Sequence, residues 1–253
     1  MENFQEQEYG QANFNLPHDI VKLPSGGHYY KSKKSSVKVG YLTATDEDIL
    51  SSAVSNNNFL YQLLRNKIYE PELRVEELLE GDIQTILIFL RNSSFGPEYT
   101  LSLTDPATNR TFPHTFILDS LTFKKPSVLP DQDGLFETKL PRSGKVVKVR
   151  PLKFGERQEI QNMTDNYPQG MVAPQTLWTF TKQIVELDGS SDKPTIVEFI
   201  KNMPILDSKH IRRFIDENEP GLNLSVNTKA PSGENVSTRI AFGVEFFRPF
   251  FGV

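Results

Sequence analysis

Twice along this chain apolar and polar residues alternate on both sides of a proline-containing turn, and each time the alternation follows a set of helical stripes. The first case is Glu98–Thr104 and Thr111–Leu118 around Asp105-Pro106-Ala107-Thr108-Asn109. The second is Leu222–Val226 and Val236–Phe242 around the turn-rich segment from Lys229 to Asn235. Period two puts alternate side chains on one face, so each reads as an antiparallel hairpin. A chain whose period changes from 3.6 to 2 in this manner is expected to be α+β.

The helical stripes are explicit. Thr45-Asp46-Glu47-Asp48 offers a hydroxyl cap and first-turn carboxylates, predicting a helix over 46–55. Phe59, Leu60, Leu63 and Leu64 give a second helix, stopped by Pro71, and Val75–Leu79 a short turn of helix. Asp82–Ser94 is apolar on much of its circumference and predicts the buried helix of this half. Beyond a Pro/Asp/Gly-rich connector, Phe136–Leu140 and Lys145–Leu152 read as strands and Phe154–Tyr167 as a helix. Leu177, Phe180, Ile184, Val185 and Leu187 form one amphipathic stripe, Pro194 opens another helix, and Asp207-Ser208 is placed as the cap of the last.

Set side by side, the halves follow one plan. Lys22-Leu23-Pro24-Ser25-Gly26 is echoed by Lys139-Leu140-Pro141-Arg142-Ser143-Gly144, and Val37-Lys38-Val39 by Val147-Lys148-Val149. Two similar tandem units follow, residues 17–125 and 135–242, joined by the connector 126–134. Residues 1–16 read as a flexible N-terminal arm and 243–253 as a Phe-rich tail.

Composition removes whole classes of function. The chain has 253 residues, a net charge of −4 and no cysteine, so disulfides, thiolate metal sites and cysteine catalysis are excluded. Its four histidines are scattered without ligand spacing, so no metal and no cofactor are expected. No apolar run reaches membrane-spanning length, and near-balanced charge disfavours generic nucleic-acid binding. Catalytic motifs are missing: Ser25-Gly26-Gly27 lacks the Lys-Ser/Thr ending of a phosphate loop, and the carboxylates Glu76, Glu77, Glu80 and Asp82 read as a solvated face. The chain is therefore not read as an enzyme, with a hydrolase using those carboxylates kept as a rival. A second rival is nucleic-acid binding through the basic strands at Lys31–Lys38 and Arg142–Lys153.

The remaining candidate is aromatic. Phe246, Phe247, Phe250 and Phe251 flank Arg248 and Pro249, the composition of an interface hot spot. A proline among so many aromatics disfavours a central strand, so the tail is either tucked into its own fold or offered to another protein. Phe4, Tyr9 and Phe14 of the arm are further partner-binding candidates.

At Leu23-Pro24-Ser25-Gly26-Gly27-His28-Tyr29-Tyr30, Leu42-Thr43-Ala44-Thr45-Asp46-Glu47-Asp48-Ile49-Leu50, Gly81-Asp82-Ile83-Gln84-Thr85-Ile86-Leu87 and Phe242-Gly243-Val244-Glu245-Phe246-Phe247-Arg248-Pro249 the sequence resembles the T-even-type myophage baseplate proteins, described as hub components or hub assembly chaperones. The resemblance implies a structural or assembly protein of a contractile tail. It would be located in the virion baseplate, and in the host cytoplasm during assembly. Its implied partners are other baseplate and tail proteins, with self-association open. Family members commonly carry a Cys-Pro-x-Cys knuckle at the hairpin tips. The matching positions here, Asp105-Pro106-Ala107-Thr108 and Ala230-Pro231-Ser232, keep the proline without a sulfur ligand. Turn chemistry from Asp105, Pro106, Asn109 and Gly233 is expected to close these degenerate, zinc-knuckle-like hairpins instead of zinc.

Overall fold

The computed structural model describes residues 17–51, 58–243 and 246–247, in which helices and small antiparallel sheets are mixed. The chain is α+β. A hairpin of β1 (His18–Lys22) and β2 (Ser36–Gly40) leads to α1 (Ala44–Ser51), α2 (Phe59–Lys67) and α3 (Glu80–Phe95), then to a hairpin of β3 (Glu98–Thr104) and β4 (Thr111–Ile117). The second stretch begins with β5 (Phe136–Lys139) and β6 (Val146–Val149). Helices α4 (Phe154–Asp165) and α5 (Gln175–Gln183), strand β7 (Ile184–Leu187), then α6 (Lys193–Lys201) and α7 (Ile205–Asn218) come next. A hairpin of β8 (Ser225–Lys229) and β9 (Asn235–Arg239) closes it.

Two buried clusters organise these elements. The first surrounds α3, whose Ile83, Ile86, Leu87 and Leu90 meet Val37, Val39, Leu63 and Leu64. The second joins the sheet β5-β6-β7 to the later helices through Phe136, Val147, Val149, Phe180, Ile211 and Ile215. Leu222, Leu224, Ile240, Phe246 and Phe247, from the end of the chain, pack into the first cluster.

Each cluster is pinned by a carboxylate at the third position of a helix. Asp82, third in α3, accepts the Ser25 N–H at 3.0 Å and the Tyr30 hydroxyl, which in turn accepts the Leu79 N–H at 3.0 Å. Asp207, third in α7, accepts the N–H groups of Arg142 at 2.7 Å and Ser143 at 3.0 Å. Both side chains are fully buried, and both hold the Leu-Pro turns that the sequence echoes. Burial pushes the Asp82 carboxyl up. Burial also presses upward on Asp207, but donated N–H groups outweigh it and hold that carboxyl below the usual carboxylate range.

Three expectations are corrected here. The stripe from Leu177 to Leu187 is not one helix: α5 ends at Gln183, and Ile184–Leu187 extends to pair with β6, where Ile184 and Leu187 are buried. β-Branched Ile184-Val185 favours that extension, and a short apolar run has no period that separates the two forms. The last helix starts at Ile205 behind Pro204, not at an Asp207 cap, because the Asp207 carboxylate is engaged with the turn at Arg142-Ser143. The first helix starts two residues earlier than predicted, at Ala44, with the Thr43 N–H donated back to Asp46 at 2.6 Å. A buried Lys67–Asp46 ion pair ties α1 to α2.

The two stretches of chain meet through backbone beside the first cluster. Phe154 N–H donates to Leu78 O at 2.8 Å, and a Cβ on Gly81 would stand 2.2 Å from Pro220 O and 2.4 Å from Gly221 Cα. Alanine for glycine inside a helix ordinarily stabilises by about 1 kcal/mol. Gly81→Ala is expected instead to destabilise by about 1–3 kcal/mol, the scale of an overpacked joint, in chemical denaturation. Asp207→Asn replaces one of the two acceptor oxygens with an NH2 donor turned toward a backbone N–H, and is expected to lower stability at neutral pH by about 1–3 kcal/mol. Asp207 is depressed in the folded state, so its contribution is present above the ordinary carboxylate value and lost as pH falls through the lower folded value. The gap in melting temperature between wild type and Asp207→Asn therefore narrows on acidification; a gap that is constant with pH refutes the charged clamp.

Candidate functional site

The two closing hairpins lie beside each other, joined at base, middle and tip. At the base, Lys124 N–H donates to Gly221 O and Asn223 N–H to Thr122 O, both at 2.8 Å. Midway, the His114 ring lies 3.2 Å from the Thr228 hydroxyl. At the tips, Asp105 accepts the Ser232 hydroxyl at 2.7 Å and the Ser232 N–H at 3.3 Å. The same carboxylate accepts the Ala107 N–H at 2.9 Å, and Asn109, at a φ of 55°, donates its N–H to Asp105 O. Gly233, at a φ of 93°, closes the other tip by donating to Ala230 O. Turn chemistry thus closes both hairpins, and Asp105 also couples one to the other. The Ser232 hydroxyl, with the Ala107 N–H, holds the Asp105 carboxyl below the usual carboxylate range.

This donor set does not suit zinc. One carboxylate already shared among a hydroxyl and two N–H groups leaves no cluster of soft or imidazole ligands. Among the described residues no three histidine, aspartate or glutamate side chains gather to hold a metal ion.

Arg91 carries the link from this pair of hairpins to the chain's end. It is 3% exposed near the C-terminal end of α3, and its guanidinium donates to Phe246 O at 3.1 Å, Gly96 O at 2.8 Å and Glu98 O at 2.7 Å. The same cation lies 5.0 Å from the Tyr99 ring centre and 5.6 Å from that of Phe246. Burial pulls its pKa below the ordinary arginine value, and three carbonyl acceptors with two ring faces take the place of a carboxylate.

Phe246 and Phe247, proposed from sequence as partner contacts, are both 0% exposed. Phe246 packs edge-on to Tyr99 at 5.3 Å and to Phe247 at 5.2 Å, and against Phe242 at 4.8 Å. Of the two readings left open for the tail, self-burial holds for these two rings, and they are core rather than a free docking surface. Arg248, Phe250, Phe251, Phe4, Tyr9 and Phe14 lie outside the described residues. Arg91 was missed by the sequence reading. Its position on the stripe of Ile83, Leu87 and Leu90 was the available signal, since a cation on a core stripe needs partners there.

The rival sites dissolve. Glu76 accepts the Tyr61 hydroxyl at 2.5 Å, Glu77 stands beside Arg74 and Asp82 is sealed beneath the Ser25 turn, so these carboxylates do not converge on one cleft. On the basic strands, Lys145 pairs with Asp188 at 2.7 Å, Lys148 with Glu186 at 3.4 Å, and Arg150 with Glu156 at 2.6 Å. Those charges are paired with neighbouring carboxylates rather than offered to a polyanion.

A family model described as T4 bacteriophage base plate protein matches residues 17–248, a span that contains every described residue. The chain belongs to that family. No curated protein and no solved structure matches it. Membership gives this baseplate protein a structural role in a phage tail baseplate, with other phage tail proteins as its partners. No helix among the described residues is long and apolar enough to cross a membrane.

Removing a fully buried phenylalanine costs about 3–5 kcal/mol through lost burial and the cavity left behind. Phe246→Ala is expected to destabilise the baseplate protein by that amount in urea or guanidinium titration, and cutting the chain after Gly243 to do at least as much. A Phe246→Ala variant of wild-type stability is incompatible with the packing described.

Proposed function

We propose that the baseplate protein is a non-enzymatic hub component or hub assembly chaperone that works through protein–protein contacts. The observation that supports this best is the anchoring of Phe246 and Phe247. With both rings in the core and Phe246 O held by Arg91, the residues that follow begin from a fixed point beside the paired hairpins. Arg248, Phe250 and Phe251 are the partner contacts in this reading, with Phe4, Tyr9 and Phe14 of the arm as a second set. A fixed attachment point lowers the entropy lost when the residues beyond it engage a neighbour.

The reading includes a tandem architecture of two related units. Its support is the repeated use of a third-position helix carboxylate on a Leu-Pro turn, in residues 17–125 and again in 135–242. It also places the protein in the host cytoplasm while tails assemble.

The test is truncation after Phe247, which spares the core rings. The shortened protein is expected to melt as wild type does and to enter baseplates at least tenfold less efficiently. Normal incorporation would sink the contact role of Arg248, Phe250 and Phe251. Mass spectrometry of purified particles separates the two forms of the proposal: a stoichiometric chain is a hub component, and a chain found only in assembly intermediates is a chaperone.

A further inference from the structure

We propose that the cleft between the two cores is a docking site for an acidic peptide segment of a neighbouring baseplate protein, a proposal that rests on the assembly role above. The cleft has a volume of about 760 Å³ and is walled by the loop after β1, by the connector before β5, and by the end of β6 with the start of α4. It brings together Lys31 and Lys33 with Arg150 and Lys153, from the two basic stretches that the sequence singles out more than a hundred residues apart.

The structure sorts those stretches by charge. Lys34 turns away to Glu70 at 3.1 Å, and Lys145, Lys148 and Arg150 are paired with carboxylates. Lys31, Lys33 and Lys153 remain on the cleft wall. Lys33 Nζ donates to His28 O and Gln132 O, each at 3.2 Å, and those neutral acceptors fix its position without cancelling its charge. Neither Lys31 nor Lys153 has a carboxylate partner among the described residues. Four cations, Arg150 included, face only Asp133 and the committed Glu156, so the cleft is positive on a chain whose net charge is −4.

A confined positive cleft with few unneutralised ammonium groups matches a short run of carboxylates. A nucleic-acid strand gains affinity by neutralising many phosphates along a continuous track and by stacking bases on free rings. Here the adjoining strand cations are spent. The local rings are engaged too: Tyr30 on Asp82, and Tyr29 against Phe136 at 6.1 Å. Fixed ammonium groups placed before binding select charge and speed encounter.

The experiment places a photo-crosslinking residue at Gln132 in the full-length protein during infection and sequences the captured partner. It is combined with the double variant Lys31→Glu, Lys153→Glu, with Lys193→Glu, Lys209→Glu as a remote control. The proposal expects capture of an Asp/Glu-rich segment of another tail protein. It expects a tenfold or greater loss of incorporation for the cleft variant at unchanged melting temperature, and a normal control. Should the cleft variant fold poorly, Lys31→Gln with Lys153→Gln is expected to lose at least threefold. Capture of nucleic acid, capture of a segment without carboxylates, or normal incorporation of both cleft variants overturns the proposal while leaving the assembly role standing. Absence of the wild-type chain from baseplates and their intermediates overturns the assembly role, and this proposal with it.

Discussion

A buried carboxylate that holds the backbone of a distant turn is the interaction on which both cores depend. A tight turn leaves N–H groups without strand or helix partners, and burying them unpaired costs roughly as much as several surface contacts contribute. Asp82 and Asp207 resolve this from the first turn of a helix, where the positive end of the peptide dipoles favours a carboxylate. In satisfying the turn, each fixes where its helix begins relative to the first hairpin of its own stretch. Around those two helices the apolar stripes then close. The chemistry differs between the copies. Asp207 meets the N–H groups of Arg142 and Ser143 together with the Ser143 side chain and is held below the usual carboxylate range, whereas Asp82 shares its site with the Tyr30 hydroxyl and is pushed above it by burial.

The two cores are interlocked rather than merely adjacent. The hairpin that closes the second stretch is flanked by Leu222, Leu224 and Ile240, all of which pack in the first core, and Phe246 and Phe247 follow them there. Arg91 makes that return specific, because its planar fork donates to three carbonyls arranged around it, one of them from Phe246. The result suits a protein whose partners are other subunits: hairpin tips coupled by Asp105 and Ser232, and a charged cleft at the junction of its cores. At the hairpin tips this chain uses a carboxylate, a hydroxyl and turn N–H groups.

Much of this was legible in the chain. The helical stripe of α3, the two hairpins with their Asp-Pro and Pro-Ser-Gly turns, and Pro194 at the start of α6 follow from local periodicity and backbone chemistry, which act over a few residues. Strand β7 was not legible, because Ile184–Leu187 satisfies a helical stripe and a buried strand equally well until β6 is beside it. Asp207 was misread for a related reason: as a cap its role would be local, but its acceptors serve residues 64 and 65 positions away. The candidate contacts divided along the same line. An aromatic cluster announces burial against something, and composition carries no information on whether that partner is the same chain.

What the sequence alone determined is the class of fold, the family-specific turns, and the absence of thiol chemistry, because each depends on residue type and short-range spacing. Tertiary structure decided which carboxylates clamp, which lysines stay unneutralised, and that Phe246 and Phe247 complete a core built around α3. Those outcomes rest on desolvation and on partners brought together across the chain, and neither quantity exists until the chain has folded.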